Sequence, residues 1–158
     1  MERPNDWAKS VKAAEGLSDT KKLQLEFWQA FSDYAFSKKD FASMFKVRKA
    51  QAQHWYDLSL GSSAYHLGLT VNTQKKRIGA EIYINDDKEL FVKFKESAKE
   101  IEEIFGSKLE WIEASKACRI LGTTSGDIKK GTDAWPAMFD WFMESAIKMQ
   151  TISRRYDK

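Results

Sequence analysis

The chain has 158 residues, 42% hydrophobic, 13% aromatic and 31% charged, with 26 lysines and arginines against 23 acids for a net charge of +3. That is one ordinary domain, able to bury roughly two-thirds of its unfolded surface without metal or disulfide staples. A lone cysteine, Cys118, excludes an internal disulfide, no run resembles a secretory signal, and no apolar stretch reaches bilayer length, so the expected location is cytoplasmic, with no membrane partner.

Residues 1–17 read as a leader or linker, with a short helix from Asp6 to Ala14 ahead of Gly16, and 18–158 as a single α+β domain. From Ser18 or Asp19, either able to cap a helix, Leu23, Phe27, Ala30, Phe31 and Tyr34 recur at helical spacing. A basic connection, "SKKDFASMFKVRKAQAQ", follows. Three strands come next, with aliphatic sets Tyr56, Leu58, Leu60; Leu67, Leu69, Val71; and Ile78, Ala80, Ile82, Ile84.

These sets must share one face, and a slip of one residue would turn every apolar side chain away from it. Between the second and third strands the simplest register pairs Asn72 with Arg77 across a four-residue loop, Gly68 with Glu81, and His66 with Tyr83. Between the first two, a two-residue turn at Gly61-Ser62 sets Asp57 beside His66, whereas a four-residue loop sets it beside Gly68. A helix then starts at Asp86 with Glu89 three residues on, carries Leu90, Phe91, Phe94, Ala98, Ile101 and Phe105 on one stripe, and stops at Gly106. Two short strands, "KLEWIEA" and "KACRILGT", extend the sheet, "TTSGDIKKGTD" forms a mobile connection, and the last helix begins between Asp133 and Pro136. The expected fold is α+β in the order α-βββ-α-ββ-α, a largely antiparallel sheet of about five strands with the helices on its aliphatic face.

The opposite face collects Asp57, His66, Glu81 and Tyr83, with Arg119 from the last strand. Asp57 and Glu81 flank the second strand with their backbones about 10 Å apart at ~4.8 Å per strand step, over Gly68. Two carboxylates so placed could hold a divalent cation, the skeleton of a metal-dependent nuclease, but the lysine such sites place two residues after the second acid is here Tyr83. The competing reading pairs Asp57 with His66 or Arg119, and Glu81 with Arg77 or Arg119, on a solvated face. Gly68 and Gly79 mark close approach to the backbone, by a ligand or by one of the chain's own segments, such as the leader with Trp7.

His54, His66 and Cys118 lack the spacing of a zinc site, no Gly-x-Ser-x-Gly elbow is present, and "GTTSGDIKKGT" lacks the Gly-Lys-Ser/Thr ending of a phosphate loop. No cofactor, metal or catalytic group is therefore expected. Lys38, Lys39, Lys46, Arg48 and Lys49 fall within twelve residues, and Lys75, Lys76 and Arg77 crown a hairpin. Both groups suit phosphates of DNA or RNA, with Phe41, Phe45 or Trp55 to stack on bases.

The stretches "LQLEFWQAF", "KVRKAQAQHWYDLSLGSSAYHLGLTVNTQKKRIGAEIYI", "KLEWIEASKACRI" and "WPAMFDWFMESAIKM" together resemble the bacterial and archaeal family Domain of Unknown Function 4268. The resemblance covers about Leu23 to Tyr156, through Phe27-Trp28, Trp55, Gly61, Glu81, Trp111 and the Trp141 helix. It implies a C-terminal module beside nuclease-like or otherwise DNA-associated regions, hence an accessory role in DNA processing or defence with an upstream nuclease-like domain as partner. The leading expectation is a non-catalytic nucleic-acid-associated module. The alternatives are a metal-dependent hydrolase on Asp57 and Glu81, and a protein-interaction or dimerisation domain.

Overall fold

The computed structural model describes residues 17–157. The expected leader, apart from Leu17, lies outside the described residues.

Ser18 caps the first helix, α1 (Asp19–Phe36), its hydroxyl accepting from Lys21 N at 3.3 Å. Phe27, Trp28 and Phe31 on its inner side are wholly buried and meet Tyr56, Phe139 and Phe142 in mostly edge-on or tilted ring contacts. Such contacts suit aromatic quadrupoles and bury large areas, so the ring-rich composition does become the core.

The basic connection is more ordered than expected. It contains a short helix, α2 (Lys39–Met44), because Phe41 has a buried seat against Phe31 and Phe36. Beyond it the chain is held through its backbone: Gln150 donates to Met44 O, Trp28 Nε1 donates to Gln53 O, and the Tyr56 hydroxyl donates to Arg48 O at 2.6 Å while accepting from Arg48 N at 3.1 Å.

Strands β1 (Trp55–Leu58), β2 (Tyr65–Asn72), β3 (Arg77–Asn85), β4 (Glu110–Glu113) and β5 (Ala117–Ser125) form one antiparallel sheet in the order β1-β2-β3-β5-β4. The register of β2 on β3 is the simplest one that the aliphatic alternation allows, with Asn72 opposite Arg77, Gly68 opposite Glu81 and His66 opposite Tyr83. Asp57 lies opposite Gly68, the register of the longer β1–β2 loop.

The single helix expected between Asp86 and Gly106 is two. Asp86 does not start it, because its N–H is bonded to Lys116 O and its backbone is left-handed at φ 43°; Asp87 caps instead, accepting from Leu90 N at 3.1 Å. Glu89 then falls one position short of a capping box. Helix α3 (Lys88–Glu96) gives way at Ser97 to α4 (Ala98–Phe105), so that Phe94 meets Tyr65 and Phe91 meets Trp111, while Phe105 meets Trp141 of the last helix. Gly106 ends α4 at φ 94°, a conformation that favours glycine.

Nor is "TTSGDIKKGTD" one loose loop. Its first residues complete β5, and two 3-10 turns (Ile128–Lys130 and Thr132–Ala134) carry the chain into α5 (Trp135–Tyr156), with Trp135 Nε1 donating to Ile128 O. Helix α5 lies along the aliphatic sheet face and buries Met138, Phe139, Phe142, Ala146, Met149 and Ile152. The fold is thus α+β, a single five-stranded antiparallel sheet with helices on its aliphatic face. No described helix is long and apolar enough to cross a membrane.

Candidate functional site

The other sheet face is read most simply in rows across the strands. One row holds Asn72, Arg77 and Ser125; the next Trp55, Thr70, Gly79 and Thr123; the next Asp57, Gly68, Glu81, Leu121 and Glu110; and the next His66, Tyr83, Arg119 and Ile112. Alternation along each strand puts these side chains opposite the core. All of them except Ser125, Gly68 and Glu110 line a concave hollow of about 750 Å³. Short side chains along the middle of the sheet make the floor, and Trp55, Tyr83, Arg119 and Ile112 stand around it.

The four polar residues and Arg119 come together as the register requires. His66 Nε2 lies 3.4 Å from Asp57 Oδ1 and its ring stacks on Tyr83, with centroids 5.1 Å apart and planes at 27°. Glu81, only 6% exposed, pairs with Arg119 Nε. Of the two arginines considered for Glu81, Arg77 goes elsewhere, to Glu110 Oε2 at 3.7 Å. Burying a carboxylate is costly without a partner, and Arg119 supplies one.

The strand glycines have a local explanation. A Cβ at Gly79 would stand 2.7 Å from Thr70 Oγ1 and 2.9 Å from Leu121 Cδ1, and one at Gly68 would stand 3.2 Å from Glu81 Cγ and 3.6 Å from Asp57 Oδ1. The close approach they permit is thus made by side chains of the same face. Trp7, also considered for that role, lies outside the described residues.

Asp57 and Glu81 do converge above Gly68, but a cation there would meet the Arg119 guanidinium on Glu81 and compete with it for the carboxylate. Among the described residues no group of three or more histidine, cysteine, aspartate or glutamate side chains could hold a metal ion.

The basic residues fall into separate places. Lys38 lies at the end of α1 with Nζ 4.7 Å from the Tyr34 ring centroid, and Lys39 opens α2, so both belong to the helix layer. Lys46, Arg48 and Lys49 are exposed on the segment that enters β1. That segment arrives at the end of the sheet bearing the Thr73–Lys76 tip, since His54 O accepts from Val71 N at 2.9 Å. Lys75 and Lys76 are exposed on that tip, and Arg77 is half-buried at its foot. Of the three aromatics considered for stacking, Phe41 and Phe45 are buried and unavailable; Trp55 is 38% exposed and lines the hollow.

Sequence reasoning missed Glu110, Ile112, Leu121 and Thr123 on this face. The alternation in "LEWIEA" and "ACRILGTTS" held that information, but which alternate set faces out depends on β5 lying between β3 and β4.

These features define an α+β fold with one sheet face covered by helices and the other, among the described residues, open and polar. The chain belongs to the family described as Domain of unknown function (DUF4268), whose model matches residues 23–157. No curated protein and no solved structure matches it.

Proposed function

We propose that this domain is a non-catalytic module that binds the phosphate backbone of nucleic acid. One observation carries the reading: Lys46, Arg48 and Lys49 are exposed around the exposed Val47, with no ion-pair partner among the described residues, on a backbone tethered by the Tyr56–Arg48 hydrogen bonds. Cations held out on a fixed strand of chain can replace phosphate counterions at little ordering cost. Among the described residues, three of the four exposed large apolar side chains, Met44, Val47 and Trp55, lie in or beside this basic stretch, which favours an interaction surface over a purely solubilising one. Lys75 and Lys76 extend the charge to the hairpin tip. A hydrolase using Asp57 and Glu81 has less support, because both acids already face basic groups of the same sheet.

The triple variant Lys46→Glu, Arg48→Glu, Lys49→Glu tests the reading. It should bind DNA or RNA at least about tenfold more weakly at low salt, with a shallower dependence of log K on log salt, by roughly one unit per lost contact. Binding equal to that of the parent, or no binding by the parent at low salt, would overturn it.

A further inference from the structure

We infer that the nucleic acid this domain takes is single-stranded and that it lies across the open sheet face, with bases stacked on Trp55 and, farther along, beside the Tyr83–His66 pair. The inference rests on the phosphate-binding reading and adds the ligand's form and its seat.

Among the described residues Trp55 is the one exposed large apolar side chain that lines the hollow. His54 sets its ring against the indole, centroids 4.7 Å apart at 73°, and Gln53 Nε2 donates to Trp55 O at 3.2 Å, so the residue is held at the edge of the sheet. Its row neighbours Thr70, Gly79 and Thr123 are too small to cover an indole. An exposed ring above a floor of small residues is a surface on which a flat heterocycle can stack, and base stacking on aromatics tolerates any sequence.

The charges divide in the manner a single strand needs. Within the hollow every nearby acid faces a basic group: Asp57 faces His66, Glu81 faces Arg119 and Glu110 faces Arg77. Among the described residues the two arginines that line it, Arg77 and Arg119, thus each already face an acid. Lys75 and Lys76 are exposed outside it on the hairpin tip, and Lys46, Arg48 and Lys49 are exposed on the segment leading to Trp55. Rings inside and cations outside match bases turned in and phosphates turned out along the rim. A duplex instead presents its phosphates to the protein and keeps its bases stacked on one another inside, so it cannot bring a base face onto an indole set in a concavity.

Anisotropy titrations of the full chain with one labelled DNA sequence, as a single strand and as a duplex, test this. The single strand should bind more tightly. Trp55→Ala should weaken it at least about tenfold while leaving duplex affinity unchanged, and Trp55→Phe should keep most of the affinity. Because Trp55 lies outside the core cluster, circular dichroism of both variants should match the parent. If the duplex binds as well as the single strand and Trp55→Ala changes neither, the sheet-face seat is overturned while backbone binding through the lysines stands. If neither form binds at low salt, both readings fall. If Trp55→Ala alters the mass of the free protein by light scattering but not its affinity for the strand, the face joins copies of the chain and the inference is likewise overturned.

Discussion

Glu81 and Arg119 show how one buried residue organises the open face. The Glu81 side chain is 8% exposed and depends on the guanidinium, whereas Arg77 and Glu110 meet with 37% and 49% of their side chains exposed. Losing a partner matters only where water cannot replace it. Arg119→Met should therefore lower unfolding free energy by about 1–3 kcal/mol in urea titrations, and Arg77→Met by no more than about 0.5 kcal/mol. Equal effects would mean that Glu81 is better solvated than its burial implies. Gly68 and Gly79 belong to the same arrangement, since a methyl on either would press on Glu81, Thr70 or Leu121.

Among the elements, the entry to α3 is where local pattern and tertiary demand part. Asp86-Asp87 offers two aspartates, and the spacing to Glu89 favours the first, yet the bond from Asp86 N to Lys116 O keeps that residue with the sheet. The cap passes to Asp87. Asp87→Ala should cost about 1 kcal/mol in thermal or chemical denaturation. Asp86→Gly should change little, because relief at φ 43° offsets the greater freedom of glycine in the unfolded chain. A larger loss from Asp86→Gly than from Asp87→Ala would reverse the assignment. The break at Ser97 has a similar origin: a single straight helix could not bring Phe91 and Phe94 to the sheet while Phe105 meets α5.

At the scale of the whole molecule, Tyr65 ties β2 to the residue that follows α5, its hydroxyl donating to Asp157 Oδ2 at 2.8 Å. Burial first, and then the hydrogen bond to that carboxylate, pushes the Tyr65 phenol up to about 12 from an ordinary value of 10.0. The folded chain thus holds this proton more tightly than the unfolded chain. Its contribution to stability is complete below about pH 10 and is lost as pH rises through about 12. Burial raises Tyr56, and Asp140 raises Tyr34, in the same direction. The difference between parent and Tyr65→Phe isolates Tyr65: their stability gap should be constant below pH 10 and shrink towards pH 12. A gap that stays constant through pH 12 would show that the linkage is absent.

The α+β class, the boundaries of α1 and α5, the β2–β3 register and the gathering of Asp57, His66, Glu81 and Tyr83 on one face were legible in the sequence alone. Hydrophobic alternation is a local signal with a period of two; in a sheet covered on one side it excludes every slip by one residue, and the shortest suitable loop then selects the β2–β3 register. The choice of Asp57's neighbour, the partner of Arg77, the burial of Phe41 and Phe45 beside an exposed Trp55, and the part played by β4 and β5 in the hollow were decided by the tertiary structure. Each depends on strand order or on which ring reaches the core first, and those contacts join residues far apart in the chain, where no local pattern records them.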